Sequence, residues 1–389
     1  MRKLFINPLF LYGVSFLISL SLYELRWSDL YPDLSDELFY FLLSTVFISL
    51  ILSFVLNFFI KEKKYDVNIT KRNSYIICFF ISLGFIAEYI YARQIPIISV
   101  LFGSEMNYKE FGIPTFHVFL LPYASVFTII STFRFIENKK KRYFLYSAVY
   151  TFILIGTIMN RGALIIILAA IGIIILYKNF SLKYIVILSI FGLAILYGFG
   201  VLGNKRMIAS GYQDELAVLS VASASNEFKE NWVPNEFFWG YLYSTVSIAN
   251  LQNQVNSYHI DGEKGKLSDI LMLEIFPDFI SKRLYSDDEV DVFKPDLIKE
   301  ELTTYTIYGR AIKIFGITGS IILYLWLLIF CFFSSILSPT NYRIPIMALL
   351  SIIIALSIFA NMLVFSGALL QVLLAIVLLT ISSRRISLL

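Results

Sequence analysis

Residues 143–202 read YFLYSAVYTFILIGTIMNRGALIIILAAIGIIILYKNFSLKYIVILSIFGLAILYGFGVL. Three apolar runs follow one another here, at 143–159, 162–177 and 184–202. The first two are parted only by Asn160-Arg161, the last two by a short segment that carries Lys178 and Lys183. A bilayer's hydrocarbon core is about 30 Å thick and a helix rises about 1.5 Å per residue, so about 20 apolar residues make one crossing. The stretch therefore reads as a helical hairpin turning at Asn160-Arg161, followed by a third crossing. Working outward, similar runs lie at 5–23, 38–60, 74–92 and 115–135 before it, and at 312–336, 344–364 and 367–382 after it. The expected fold is all-α: a polytopic membrane protein of about ten transmembrane helices.

The composition agrees. Of 389 residues, 58% are hydrophobic and 15% charged, and the mean hydropathy is +0.74. A soluble domain is about 45–50% apolar and about 25% charged, so the excess is lipid-facing surface rather than a larger core. The net charge of +4 is small, and its distribution says more than its sum. Arg2, Lys3, Lys61, Lys63, Lys64, Lys71, Arg72, Lys139, Lys140, Lys141, Arg142, Lys178, Lys183, Arg343, Arg384 and Arg385 fall in segments on one side of the expected spans. The first loop on the other side, near 24–37, holds Glu24, Asp29, Asp33, Asp36 and Glu37 against Arg26. The positive-inside rule then puts both termini in the cytoplasm. Met-Arg-Lys followed by a long apolar run without a small-residue cleavage site reads as a retained first span. Cys78 and Cys331 lie in apolar stretches and read as small core residues, without a disulfide framework or metal site.

Three parts follow: a seven-span part over 1–202, a large extracytoplasmic loop over 203–310 between the seventh and eighth spans, and a three-span part over 311–389. Loops beyond about 12–15 residues are usually functional or disordered. This one holds Trp232, Trp239, Phe237, Phe238, Tyr241, Tyr243, Leu273, Ile275 and Phe276, too many large apolar residues for disorder. It is expected to be partly helical, with 237–251 lying in the membrane interface.

Arg161 is the most informative single residue. An arginine between two apolar helices is costly unless it snorkels to headgroups or meets an anion, and its planar fork suits phosphate. The helix that starts there adds free N–H groups and a favourable dipole. Arg310 and Lys313 lie one turn apart where the eighth helix begins and can share a face, and Arg206 closes the seventh. Arg161, Arg206 and Arg310 could thus converge on one diphosphate, although each serves equally as an interfacial anchor. Arg93, Lys109, Lys205, Lys282 and Arg283 are further cations on that side, most of them expected in solvent. Glu88 is a carboxylate inside the third span, either functional or paired with Arg93 or a tyrosine. His117 and His259 are lone histidines, more often structural than catalytic. The acids Asp287, Asp288, Glu289, Asp291, Asp296, Glu300 and Glu301 form mainly a solvated face. One of them could deprotonate a sugar hydroxyl, and Glu301 is carried as that candidate. There is no nucleotide-binding loop, no metal-spaced His/Cys cluster and no Gly-x-Ser-x-Gly.

Four segments together resemble the Wzy-type O-antigen polymerases, which join lipid-linked oligosaccharide repeat units. They are Arg93-Gln94-Ile95-Pro96-Ile97 after the third span; Asn160-Arg161-Gly162, with ten residues between Arg161 and Gly172; Tyr241 through Asn250 in the loop; and Thr303-Thr304 through Tyr308 followed by Phe315-Gly316-Ile317-Thr318-Gly319. Their order and placement match over nearly the whole chain. Lys313 departs from the pattern, since an acidic residue commonly precedes the Phe-Gly in that family. The resemblance implies a GT-C-like integral membrane glycosyltransferase without a nucleotide sugar, cofactor or metal. It implies transfer of the growing glycan from undecaprenyl diphosphate to the non-reducing end of a new lipid-linked repeat unit. The implied partners are both lipid-linked oligosaccharides and the surrounding lipid, with a chain-length regulator as a further candidate and no nucleic acid. Arg161, Arg310 and Glu301 become candidate catalytic residues. Arg206, Arg283, Arg93, Lys313, Tyr308, Tyr241 and His259 become candidate substrate-binding residues. Trp232, Trp239 and Tyr241 suit either sugar stacking or interfacial anchoring. An O-antigen ligase and a lipid-linked oligosaccharide flippase or transporter stay open as alternatives. A ligase is expected to carry a histidine near the return into the late spans, and a flippase to have more spans and shorter loops.

Overall fold

The computed structural model describes residues 2–60, 71–101, 111–154, 158, 161–209, 211–261 and 265–386; the side chains of 71–73, 100–101, 161, 209, 261, 287 and 381–386 are outside that description. Lys61, Lys63, Lys64, Lys109 and Asn160 therefore lie outside the described residues. In chain order the α-helices are α1 Pro8–Tyr23, α2 Asp36–Phe59, α3 Lys71–Ala92, α4 Pro96–Leu101, α5 Phe116–Asn138, α6 Lys141–Phe152, α7 Arg161–Lys178, α8 Leu182–Ala209, α9 Ala217–Val221, α10 Asn226–Lys229, α11 Phe237–Asp261, α12 Leu267–Ile270, α13 Asp278–Leu284, α14 Asp287–Val292, α15 Gly309–Leu337, α16 Arg343–Ala355 and α17 Ser366–Ile386. No strand occurs among the described residues; one isolated bridge pairs Ser28 with Ala224. Five helices, over Asp36–Phe59, Ser74–Ala92, Phe116–Asn138, Leu182–Ile208 and Gly309–Leu337, are long and apolar enough to cross a membrane. The apolar helices Pro8–Tyr23, Gly162–Lys178, Arg343–Ile358 and Ser366–Thr380 are shorter.

Several expected spans differ in their ends, each for a local reason. The run 5–23 divides at Asn7, whose side chain accepts from the N–H groups of Leu9 (3.1 Å) and Phe10 (3.2 Å), with Pro8 in the first helical position. This is an N-cap, so the turn Arg2–Ile6 before it is a separate 3-10 piece. The Asn7 amide also donates to the Ser53 carbonyl (2.8 Å) and Asn57 Oδ1 (3.0 Å), which locks the start of α1 against the end of α2. The run 344–364 is helical only to Ile358; residues 359–365 turn away, and Asn361 within them reaches a buried carboxylate described below. The run 312–336 belongs to α15, which breaks at Phe315 and Gly316.

α5 packs against α3, α6, α7 and α17 and is the most buried of the long apolar helices, whereas α8 is the most exposed. Hydroxyl groups knit the core. Tyr12 donates to Thr45 Oγ1 at 2.9 Å, Tyr308 meets Tyr12 at 2.5 Å, and Tyr324 donates to the Thr45 carbonyl at 3.0 Å. Buried hydroxyls need partners, and this chain of them fixes α1, α2 and α15 to one another. At one end, Arg134 of α5 is buried between the rings of Tyr143 and Tyr342 and donates to the Tyr342 hydroxyl. Cys331 is buried and Cys78 half-buried, and both are free thiols.

The segment 211–308 folds onto the other end of the bundle as a cap. Part of its core gathers Val218, Phe228, Phe238, Tyr241, Leu242, Val246 and Leu302 around Trp27 and Tyr31 from the α1–α2 connection. That connection is tied in by backbone bonds from Asp29 to the Ser223 carbonyl (2.9 Å) and from Ser225 to the Trp27 carbonyl (3.0 Å). The helix expected in the interface over 237–251 is instead α11, which extends to Asp261 and packs between α1, α8 and α15. Its buried face is rich in amides. Asn250 donates to the carbonyls of Leu302 and Thr304 (both 2.7 Å) and accepts from the Ile298 N–H (2.8 Å). Gln254 accepts from the Asp296 N–H at 2.8 Å, and Asn253 donates to the Asp296 carbonyl at 3.1 Å. The irregular return 294–308 has few backbone partners of its own, so these side chains satisfy it.

Candidate functional site

The capped end collects most of the charged groups that the sequence singled out. Arg310, in the first turn of α15, points at Glu274 on a π-helical turn, Leu271–Ile275. Its guanidinium lies 3.5 Å from both Glu274 Oε1 and the Leu273 carbonyl. These distances are long for hydrogen bonds. The closer contact to Glu274 comes from Asn361, whose amide donates at 2.8 Å to Oε2 and at 2.8 Å to the backbone carbonyl. Glu274 is buried, and desolvation outweighs the pull of Arg310 and Asn361, so its carboxyl is held above the usual glutamate range. Nε of Arg310 is buried without a partner among the described residues. The π turn places Glu274 under Arg310, and the residues after α16 close over it.

Lys313, one turn further along α15, goes elsewhere. It meets Asp296 Oδ1 at 2.6 Å, so Arg310 and Lys313 serve two different acids rather than one shared face. Two residues on, Phe315 (φ −145°, ψ 23°) and Gly316 (φ 61°, ψ −156°) break the helix. That conformation at Gly316 is open essentially to glycine alone. The space is also closed, since a Cβ there would stand 2.7 Å from the Tyr258 ring. The Phe-Gly pair is thus a hinge of fixed geometry between the turn that bears Arg310 and Lys313 and the long apolar part of α15.

A second group of side chains lies where α3 ends and α5 begins. His117 Nδ1 is 2.9 Å from both carboxylate oxygens of Glu88. The Glu88 side chain is 0% exposed and that of His117 21% exposed. Glu88 therefore pairs with His117, and among the described residues neither Arg93 nor a tyrosine takes it. Arg283 on α13 donates to Thr115 Oγ1 at 3.2 Å, and Phe279 packs on Phe119, so the cap closes directly on this corner. Asp278, at the start of α13, accepts from the N–H of Ser366 (3.0 Å) and from its hydroxyl, which joins α13 to the start of α17. Burial works against ionisation of Asp278, but Lys282 and Ser366 outweigh it and hold its carboxyl below the usual range.

Arg161 is the first residue of α7; its side chain and Asn160 lie outside the described residues. At the other end of α7, Lys178 meets Glu137 of α5 at 3.0 Å. Arg206, in the last turn of α8, and Arg93, just past α3 in a left-handed conformation (φ 53°), are exposed. Glu301 is exposed and accepts from the Tyr212 hydroxyl at 3.4 Å. His259 is exposed on Glu37, at 3.0 Å. Tyr308 and Tyr241 are buried: Tyr308 belongs to the hydroxyl chain of the core, and Tyr241 stacks on Tyr31 and Phe238 while its hydroxyl accepts from the Trp27 N–H. Comparison with family models, with curated proteins and with solved structures finds no match to this chain.

Glu274, Asp278, Asn361 and Thr115 were not singled out from the sequence. One signal was available: Glu274 interrupts the apolar run Leu271-Met272-Leu273-Glu274-Ile275-Phe276, and Asn361 interrupts another. A polar residue inside an apolar run reports a buried partner more often than a loop. Among the described residues no group of three or more His, Cys, Asp or Glu side chains could hold a metal ion.

Proposed function

We propose that this chain is a polymerase of lipid-linked oligosaccharide repeat units, working at the outer face of a bacterial cytoplasmic membrane. In this reading the chain crosses the bilayer about ten times with both termini in the cytoplasm, and the cap is extracytoplasmic. The observation that carries the reading is the gathering of cations at one end of an apolar bundle. Arg310 sits under the cap, Arg283 lies on the cap's own helix α13 where it meets Thr115, and Arg161 is the first residue of α7. A diphosphate leaving group needs such groups, because developing negative charge is stabilised by preorganised donors and helix N-termini. The apolar helices admit the polyprenyl tails of donor and acceptor from the lipid, and the cap covers the sugars. The buried Glu274–Asn361 pair holds Arg310 from behind, which makes Glu274 and Asn361 positioning residues for that guanidinium.

The reaction in this reading transfers the growing glycan from undecaprenyl diphosphate to a hydroxyl at the non-reducing end of the incoming unit. The test uses the full chain in lipid nanodiscs. Its substrate is the single-repeat lipid carrier that accumulates in a host strain lacking the gene. Extension to a ladder of oligomers, with no nucleotide sugar added, is expected. Arg161→Ala is expected to abolish the ladder while the protein's amount in the membrane stays normal. A carrier that stays at one repeat unit with wild-type protein overturns the reading, and a wild-type ladder with Arg161→Ala removes Arg161 from the site.

A further inference from the structure

The Glu88–His117 pair is built from three separate features of the chain, and the sequence reading gives none of them that role. Glu88 is fully enclosed, inside an apolar helix where a lone carboxylate is costly. Both of its oxygens are spent on one imidazole nitrogen, 2.9 Å away. Gly112, with φ of +105°, lies against the ring: a Cβ there would stand 2.4 Å from Nδ1. Only glycine lets the backbone pass that close in that conformation, so the 111–115 turn is shaped to seat the histidine. The edge of the ring packs on Phe111, with ring centroids 5.8 Å apart.

In the tautomer whose Nδ1–H donates to the Glu88 carboxylate, the lone pair of a neutral imidazole lies on Nε2. No described residue bonds Nε2, and the histidine side chain keeps 21% of its surface open. A carboxylate behind a histidine whose far nitrogen has no partner among the described residues is an arrangement that orients the ring. Among the described residues, the charged groups at this corner are Glu88 of α3, Arg93 just past it, and Asp278, Lys282 and Arg283 of α13. Arg283 is anchored on Thr115, two residues before the histidine, and supplies a cation for an anionic substrate at the same corner.

We infer that His117, oriented by Glu88, is the general base that takes the proton of the acceptor hydroxyl, an assignment that rests on the polymerase reading. His117 Nε2 accepts the hydroxyl proton of the lipid-linked acceptor sugar. The freed oxygen pair forms the bond to the anomeric carbon of the donor glycan. The bond from that carbon to the diphosphate oxygen breaks, and the polyprenyl diphosphate leaves with the bonding pair. Glu88 touches no substrate in this scheme and is a positioning residue.

The test is the nanodisc extension assay with the single-repeat lipid carrier, run from about pH 5 to 8. His117→Gln is expected to lower kcat by about 10²–10⁴-fold, with KM unchanged and the acidic limb of the pH–rate profile gone. Glu88→Gln is expected to lower kcat by about tenfold, again with KM unchanged. If His117→Gln extends the carrier at the wild-type rate with the acidic limb intact, the assignment is overturned while the polymerase reading stands. If wild-type protein makes no ladder, both fall together. Should His117→Gln fail to fold, as seen by size-exclusion profile, wild-type protein is treated with diethyl pyrocarbonate and the modified residue mapped by mass spectrometry. Modification at His117 is then expected to stop extension and to be slowed by the carrier, whereas full extension by protein modified at His117 overturns the assignment.

Discussion

Asn250→Ala removes one side chain and strands three backbone groups, one at a buried bond and two at part-buried ones. The amide nitrogen holds the carbonyls of Leu302 and Thr304 at 2.7 Å each, and the amide oxygen holds the Ile298 N–H at 2.8 Å. Asn250 is 0% exposed. Leaving a buried polar group unmatched costs about 1–3 kcal/mol, so three groups set an upper range near 9 and a lower one near 3. The carbonyls keep a second lone pair and the return segment can admit water, so the lower figure, about 3 kcal/mol, is the working value. Opening of the 296–306 segment then becomes about 100-fold more frequent, at 1.4 kcal/mol per factor of ten. Hydrogen–deuterium exchange of full-length protein in nanodiscs reads this directly at the Ile298 amide. Asn250→Asp keeps the acceptor for Ile298 but loses both donors, so it is expected to lie between wild type and the alanine variant. Because α15 begins where this segment ends, Arg310 and Lys313 lose their fixed position and carrier extension falls as well. Exchange at Ile298 within threefold of wild type would refute the claim that α11 holds the return by its amides.

Gly316→Ala forces a side chain into a backbone conformation it rarely adopts and against the Tyr258 ring, and is expected to lower stability by about 1–3 kcal/mol, measured as a fall in the unfolding midpoint; an unchanged midpoint would contradict the fixed hinge. Glu274 gives a pH signature: its folded carboxyl is raised above the ordinary value of 4.5, so its contribution to stability is present at acid pH and lost as pH rises through the folded value. Glu274→Gln removes that dependence, so the unfolding midpoint of the variant is expected to gain on that of wild type from acid to neutral pH, and a difference that stays flat with pH would contradict the burial argument. The Lys313–Asp296 contact at 2.6 Å joins an 11% exposed side chain to a 38% exposed one, and a double-mutant cycle of Lys313→Met and Asp296→Asn is expected to give a coupling of about 1 kcal/mol after solvent screening; no coupling would mean that the pair is incidental.

The helical character of the chain was legible because burial in lipid leaves the backbone no other partner than itself, so long apolar runs and helices coincide. Where sequence and structure part, side-chain chemistry decides. Asn7 ends one run early because its amide caps the helix behind it, and the run 344–364 stops short where Asn361 turns to a carboxylate more than eighty residues upstream. Composition made 237–251 look interfacial, since its aromatics suit a membrane surface; the amides Asn250, Asn253 and Gln254 that make α11 a buried strut are polar and gave no such signal. The cations were legible one by one, because an arginine beside apolar helices is costly and therefore conspicuous. Their partners were not. Glu274, Thr115 and the pairing of Glu88 with His117 depend on contacts across as many as 168 positions of sequence, which no local pattern carries. Tyr308 and Tyr241 sit in motifs that suggested the substrate, and the structure buries both in aromatic cores.

The most direct test of the proposed function is a complementation gel: the gene is deleted in its host and the surface polysaccharide compared with and without the wild-type copy. The account predicts that the ladder collapses to a single capped repeat unit and returns with the wild-type gene. A ladder unchanged by the deletion would contradict it, and complete loss of glycan from the acceptor would assign the chain to ligation or flipping instead.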